Sequence, residues 1–392
     1  MFVKRLVILA LALAAGCTAK APLSVKVVRS EIERNPEASF IDGQEGRLKW
    51  NYTTGLELKA MLDVYEMAGQ AGHDVLEYVD AWYDSIIDST GTIYKYKKEN
   101  YSLDHICPGR TLFRLYDITG KEKYRAAMDT LYSQLQDQPR TPEGGFWHKA
   151  VYPGQMWLDG LYMAQPFYVE YTNRYVTDSL QRAENYNDIV KQFTLVYENC
   201  LDPETGLLRH AWDSSREMFW ADAETGQSAH AWGRAMGWYM MALVDVAPQL
   251  PEGSEWQDAL IDILNKSCAS LPLYADFATG MWYQVLDRPY QEGNYLEATC
   301  SAMMVYSWLK GARLGYVLGL EGARAAYESL LKTFVTEEDG LVNLNQCCEV
   351  AGLGGKQNRS GDFDYYVNEP VRSNDPKGIG PLIWAALEYE KL

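Results

Sequence analysis

The chain has 392 residues, 47% of them hydrophobic and 23% charged, which is ordinary globular composition with room for one large domain or a few smaller ones. A formal charge of −17 excludes the basic footprint that nucleic-acid binding needs and suits no anionic membrane surface. Twelve Trp and 28 Tyr are a heavy aromatic load, and flat amphipathic rings beside acids and histidines suit sugar binding as well as core packing.

At the start, Lys4 and Arg5 precede an apolar run from Leu6 to Ala15 that is too short to span a bilayer. It reads as a signal peptide over residues 1–16. Leu13-Ala-Ala-Gly-Cys17 reads as a lipobox with Ala14 where Leu is usual, so Cys17 is the expected lipidation site. The expected location is the periplasm or the outer membrane, held only by that anchor, with a soluble periplasmic product as the alternative. The other six Cys form no CxxC pair and no zinc spacing, and read as buried small apolar residues.

Residues 17–44 read as a linker and a first helix, roughly Val25 to Arg34, and residues 45–392 as the catalytic domain. Helices apolar on nearly every side begin near Gly55, Gly109, Gly160, Gly237, Ser301 and Gly380. The first five are each followed by an amphipathic helix. Thr119-Gly-Lys-Glu122 and Ser254-Glu-Trp-Gln257 have capping-box patterns that open two of these. The sixth buried helix ends the chain, and the first helix can serve as its partner. Six buried and six outer helices make an all-α (α/α)6 toroid, with an open α-solenoid as the alternative. Residues 201–230 and 272–296 read as long functional loops with some β character.

In a toroid of this kind the inner helices start at one shared mouth. Asp104, Asp159, Trp232, Arg234, Trp238 and Lys377 all lie at or beside such starts. Converging helix N-termini favour an anionic ligand, and Arg234 and Lys377 add charge. Asp159 and Asp104 can also be simple N-caps, His148 and His210 structural histidines, and Trp232 and Trp238 core. The clustering of His148, Trp157 and Asp159, and the second cluster His210-Ala-Trp-Asp213, favour a site. Two carboxylates beside a sugar are the equipment of glycosidic chemistry, and an aromatic pocket favours a protonated acid.

The segments LDHICPGRTLFRLYDITGKEKY, GGFWHKAVYPGQMWLDGLYMAQPFYVEY, GLLRHAWD with HAWGRAMGWYM, and YYVNEPVRSNDPKGIGPLIWAALE resemble glycoside hydrolase family 105, the unsaturated rhamnogalacturonyl hydrolases. The likeness extends over about residues 45 to 392, and more distantly to the unsaturated glucuronyl hydrolases of family 88. The resemblance implies the (α/α)6 toroid, no metal or organic cofactor, and an acidic unsaturated oligosaccharide as substrate. It implies removal of a 4,5-unsaturated uronic acid from the non-reducing end by hydration of its vinyl ether. Asp159 would protonate the double bond with a raised pKa, and Asp104 would be the second essential carboxylate. His148, His210, Trp232, Arg234, Trp238 and Lys377 match pocket positions, and Trp157 lies beside them. The Cys347-Cys348 pair is a departure. Loops near 213–225 and 283–296 would shape the subsite for the second sugar. Alternatives are glucuronyl hydrolysis on other acidic glycans, a sugar 2-epimerase, an inverting hydrolase of saturated sugars, and a non-catalytic oligosaccharide-binding lipoprotein.

Overall fold

A computed structural model describes residues 21–68 and 73–392; the signal segment and Cys17 lie outside them. The helices are α1 (Leu23–Arg34), α2 (Tyr52–Ala68), α3 (His73–Ile86), α4 (Gly109–Thr119), α5 (Glu122–Gln136), α6 (Leu158–Tyr175) and α7 (Ser179–Cys200). They continue with α8 (Gly233–Val246), α9 (Glu255–Ser270), α10 (Ala298–Arg313), α11 (Leu320–Phe334), the short α12 (Phe363–Val367) and α13 (Pro376–Glu390).

Helices α2, α4, α6, α8, α10 and α13 touch in that order, and α13 returns to α2, so the ring closes. An open solenoid would leave α13 and α2 apart. Outside, α3, α5, α7, α9 and α11 each pack on the inner helix before them, and α1 packs on α13. Helix α1 is thus the outer helix of the last pair, although it precedes residue 45. The division of labour follows side-chain chemistry: every residue of α8 is buried, whereas α11 buries only Ala323, Tyr327, Leu330 and Phe334, along one stripe.

Five inner helices start upstream of the expected glycine or serine, at Tyr52, Leu158, Gly233, Ala298 and Pro376. Two of the glycines mark close approach between inner helices instead. A Cβ on Gly55 would lie 2.6 Å from Pro108 Cβ, and one on Gly237 would lie 2.8 Å from Met303. The pattern Thr119 to Glu122 forms no capping box, because α5 is preceded by Lys121 with no side-chain cap while Thr119 bonds back to the Leu115 carbonyl. Ser254 does cap α9, accepting from the Gln257 N–H.

Three two-stranded antiparallel ladders lie in the connections: β1 (Gln155–Trp157) with β2 (Ala211–Asp213), β3 (Val335–Glu338) with β4 (Leu341–Leu344), and β5 (Cys347–Cys348) with β6 (Val371–Arg372). Both long loops turn on the same device. In Asp-x-x-Thr-Gly at Asp202, Asp222 and Asp276, the Asp carboxylate accepts from the Thr hydroxyl and from backbone N–H groups ahead of it. The closing Gly206, Gly226 and Gly280 take positive φ, which other side chains rarely adopt.

All six described Cys are free, and five are buried. Cys347 and Cys348 are fully buried, with the Cys348 carbonyl accepting from Arg234. No described helix is long and apolar enough to cross a membrane.

Candidate active site

The starts of the inner helices do converge on one mouth. A 3-10 turn at Leu103–His105, ahead of α4, carries Asp104. Its Oδ1 lies 3.4 Å from His148 Nε2, and its Oδ2 pairs with Lys149 Nζ. Burial works to raise the Asp104 carboxyl, but the Lys149 ammonium and the adjacent His148 hold it below its usual range. Neither Asp104 nor Asp159 is an N-cap. The residue before α4 is Pro108 and the one before α6 is Trp157, and neither helix has a side-chain cap bond.

Asp159, in the first turn of α6, faces a second imidazole: Oδ2 lies 3.3 Å from His210 Nε2. Both atoms are buried and have no aligned hydrogen-bond partner. The backbone fixes this approach, since the Leu158 N–H donates to the His210 carbonyl and β1 pairs with β2. The expected rise in the Asp159 pKa is not found. Burial pushes it up, but His210 and His148 outweigh burial and hold the carboxyl below its usual value. Sequence reasoning weighed the aromatic surroundings and omitted the two imidazoles.

His148 is packed flat on Trp157, with centroids 4.7 Å apart and planes 8° apart. Burial, opposed by Asp104, pushes its imidazole down to about 4, so it is neutral near pH 7. The linkage sign follows. Between pH 6.5 and 4 the unfolded chain binds a proton that the folded chain excludes, so stability held above pH 6.5 is lost as pH falls. The loss attributable to His148 is expected to be on the order of 2–3 kcal/mol over that window. Unfolding curves of wild type and His148→Gln across this range check it; parallel pH dependences would contradict it.

His210 is fully buried, and its Nδ1 lies 2.7 Å from the Tyr366 hydroxyl. Trp232 stands beside it at 4.7 Å and hydrogen-bonds Gln284 through its indole N–H. Arg234 donates to the Cys348 carbonyl at 2.6 Å and lies over the Trp232 ring. Trp238 packs lower, against Tyr162 and Tyr52. Trp232 and Trp238 are each 1% exposed, so they frame the mouth and offer no open stacking face. Trp157 is also buried, in a small cluster with Ala211, Trp220 and Leu353.

Lys377 does not stand free as an added positive charge. Its Nζ lies 2.8 Å from Oδ1 of Asp375, the N-cap of α13, which Arg372 also contacts. Asp213 serves the loop: its carboxylate accepts from the N–H groups of Ser215, Glu217 and Met218. The cluster His210-Ala-Trp-Asp213 therefore splits, with only His210 at the mouth.

Three residues that the sequence reading passed over belong here. Lys149 pairs with Asp104. Tyr52, at the start of α2, feels the charges of Arg234, Asp104 and Asp159, and burial raises its phenol well above the usual value. Tyr366 in α12 holds His210. The position of Tyr52 at an inner-helix start was a usable signal; the pairing of Tyr366 with His210, 156 residues away, carried none.

The profile of Glycosyl Hydrolase Family 88 matches residues 23–392. The chain is 44% identical to a family 105 glycoside hydrolase structure from C. acetobutylicum ATCC 824, with TM-score 0.89 over 95% of this chain and all of that one. It is 25% identical over 300 residues to the unsaturated rhamnogalacturonyl hydrolase YesR of Bacillus subtilis, covering 75% of this chain and 78% of that protein. An unsaturated glucuronyl hydrolase from Bacillus sp. GL1 shares the fold, with TM-score 0.62 at 11% identity over 94% of this chain and 95% of that one. The toroid, the converging mouth and these matches agree: the chain belongs to glycoside hydrolase family 88, on its family 105 side, and is an unsaturated glycosyl hydrolase.

Proposed function

We propose that the enzyme removes a 4,5-unsaturated uronic acid from the non-reducing end of oligosaccharides released from rhamnogalacturonan by a lyase. The observation that carries this reading is the pair of carboxylates at one mouth, each facing its own imidazole, with Arg234 alongside. The likeness to YesR supports the choice of rhamnogalacturonan.

In this reading Arg234 attracts the uronate carboxylate, and Asp104 and Lys149 meet sugar hydroxyls. Asp159 delivers a proton to C4 of the double bond, and the oxocarbenium character at C5 draws water there. Asp159, now a carboxylate, takes the proton from that water. The hemiketal at C5 then collapses to a ketone as its bond to the ring oxygen breaks, and the hemiacetal left at C1 breaks down to an aldehyde and releases the second sugar. Asp159 is ionised in the empty site, so its acid form must come from substrate binding. The incoming carboxylate and the expulsion of water both disfavour a second negative charge, which raises the Asp159 pKa when the acid is needed.

The test compares lyase digests of rhamnogalacturonan and of glycosaminoglycans by loss of ultraviolet absorbance from the unsaturated uronide. Decay at least about 10-fold faster on the rhamnogalacturonan pool is expected, since a mismatched sugar subsite costs roughly 1–3 kcal/mol. Faster decay on the glycosaminoglycan pool would move the substrate to that class, and no decay on either would overturn the reading.

A further inference from the structure

Tyr366 does not reach the mouth, yet its contacts are those of a group that sets another's protonation. It is fully buried, lies nearly parallel to Trp232 with planes 18° apart, and its carbonyl accepts from Gln284 Nε2 at 3.0 Å. Gln284 in turn accepts from the Trp232 indole N–H. The phenol oxygen is thereby held 2.7 Å from His210 Nδ1, its hydrogen-bond partner among the described residues.

A buried hydroxyl hydrogen without an acceptor is costly, and here the acceptor within reach is His210 Nδ1. If Tyr366 donates, Nδ1 carries no hydrogen and His210 holds its proton on Nε2. That N–H then faces Asp159 Oδ2 at 3.3 Å. Oδ2 is sealed from solvent, while the Asp159 side chain keeps 15% exposure, so Oδ1 is the carboxylate oxygen left toward the mouth. A proton on Oδ2 would crowd the Nε2–H on the same side. A proton on Oδ1 meets no such conflict.

We propose that Tyr366 is a positioning residue: by donating to His210 Nδ1 it fixes the Nε2–H tautomer and confines the catalytic proton of Asp159 to Oδ1, the oxygen facing the substrate. This rests on the reading of Asp159 as proton donor. It also ties α12 and the glycine-rich segment before it to the chemistry. Gly361 is packed so closely that a Cβ there would lie 2.2 Å from Leu353, and Tyr366 Oη lies 3.5 Å from the same point.

The charged and titratable groups facing Asp159 and His210 are His148 and Lys149 from the loop before β1, Asp104 from the 3-10 turn, Tyr52 from α2, and Tyr366 from α12. Arg234 on α8, over the Trp232 ring, and Asp375 ahead of α13 act on Tyr52. Removing the Tyr366 hydroxyl changes none of their charges. It frees His210 to carry its proton on Nδ1, which turns a lone pair on Nε2 toward Asp159 and lets Oδ2 hold the proton.

The direct test is ¹⁵N NMR of the full-length protein labelled at histidine, with the His210 signals assigned through His210→Gln. The wild type is expected to show the Nε2–H tautomer, and Tyr366→Phe a shift toward Nδ1–H. In parallel, Tyr366→Phe is expected to lower kcat about 10- to 100-fold with little change in KM. The basic limb of its kcat profile, which reports the substrate complex, should move up by about one pH unit, because the protonated carboxyl gains an acceptor. A wild-type Nδ1–H tautomer overturns the proposal, as does a Phe variant whose tautomer and pH limb are both unchanged. The tautomer readout needs no substrate, so it fails or stands separately from the substrate reading.

Discussion

Asp159→Asn is expected to lower kcat by about 10³-fold or more while leaving KM within a few-fold. A carboxamide has the same shape but cannot give up a proton to carbon. The fold should survive, because Oδ2 has no aligned hydrogen bond to lose and the carboxylate is a buried charge facing an imidazole. Stability is expected to stay within about 1 kcal/mol of wild type or to rise slightly, as happens when a buried charge kept for function is removed. Steady-state kinetics beside a denaturation curve separate the two effects. A variant with more than about one tenth of wild-type kcat would remove Asp159 from the role of proton donor.

Asp245→Leu is expected to act the other way, costing about 3–5 kcal/mol of stability. Asp245 sits in the last turn of α8 and is buried. One oxygen accepts from Tyr306 and Lys310 on α10, both at 2.6 Å, and the other accepts from Arg110 on α4 at 2.8 Å. The network therefore joins three inner helices, and α4 and α10 do not neighbour each other around the ring. Burial alone would raise this carboxyl, but Lys310 and Arg110 hold it far below its usual range. Its contribution to stability is therefore fully present above the unfolded value of about 4 and is lost as pH falls toward the depressed folded value. Leucine leaves both cations without their acceptor. Eleven residues of helix at 1.5 Å each put Asp245 roughly 17 Å along α8 from Arg234, so turnover by the folded fraction should be near wild type. A loss below about 1 kcal/mol in urea unfolding would mean that the network holds nothing together.

The ring was legible because burial leaves a strong mark. Helices apolar on all sides alternate with one-sided ones such as α11, and no other arrangement of twelve such helices buries the first kind so simply. Helix boundaries were less legible for a physical reason. Gly55 and Gly237 are where neighbouring inner helices nearly touch, and the chain is already helical before them. The Asp-x-x-Thr-Gly turns were written in the sequence three times and are local enough to have been read. At the site, Asp104, Asp159, Trp232 and Arg234 come from or just ahead of the inner-helix starts, and His148 and His210 come from the loops ahead of β1 and β2. What a linear reading could not supply was pairing. Lys377 is met by Asp375, Asp213 by its own loop, and His210 by Tyr366. The charge state of Asp159 depends on such pairings, which is why its pKa goes down where an aromatic setting suggested up.

The central claim is that Asp159 puts a proton on the sugar double bond before the bond to the second sugar breaks. Following ultraviolet absorbance and release of the second sugar together, in D₂O, tests it most directly. Hydration predicts that absorbance falls no later than the second sugar appears, with one deuterium at C4 of the ring-opened product. Release of the second sugar while the absorbance persists, with no deuterium at C4, would mean attack at the anomeric carbon and would contradict the account.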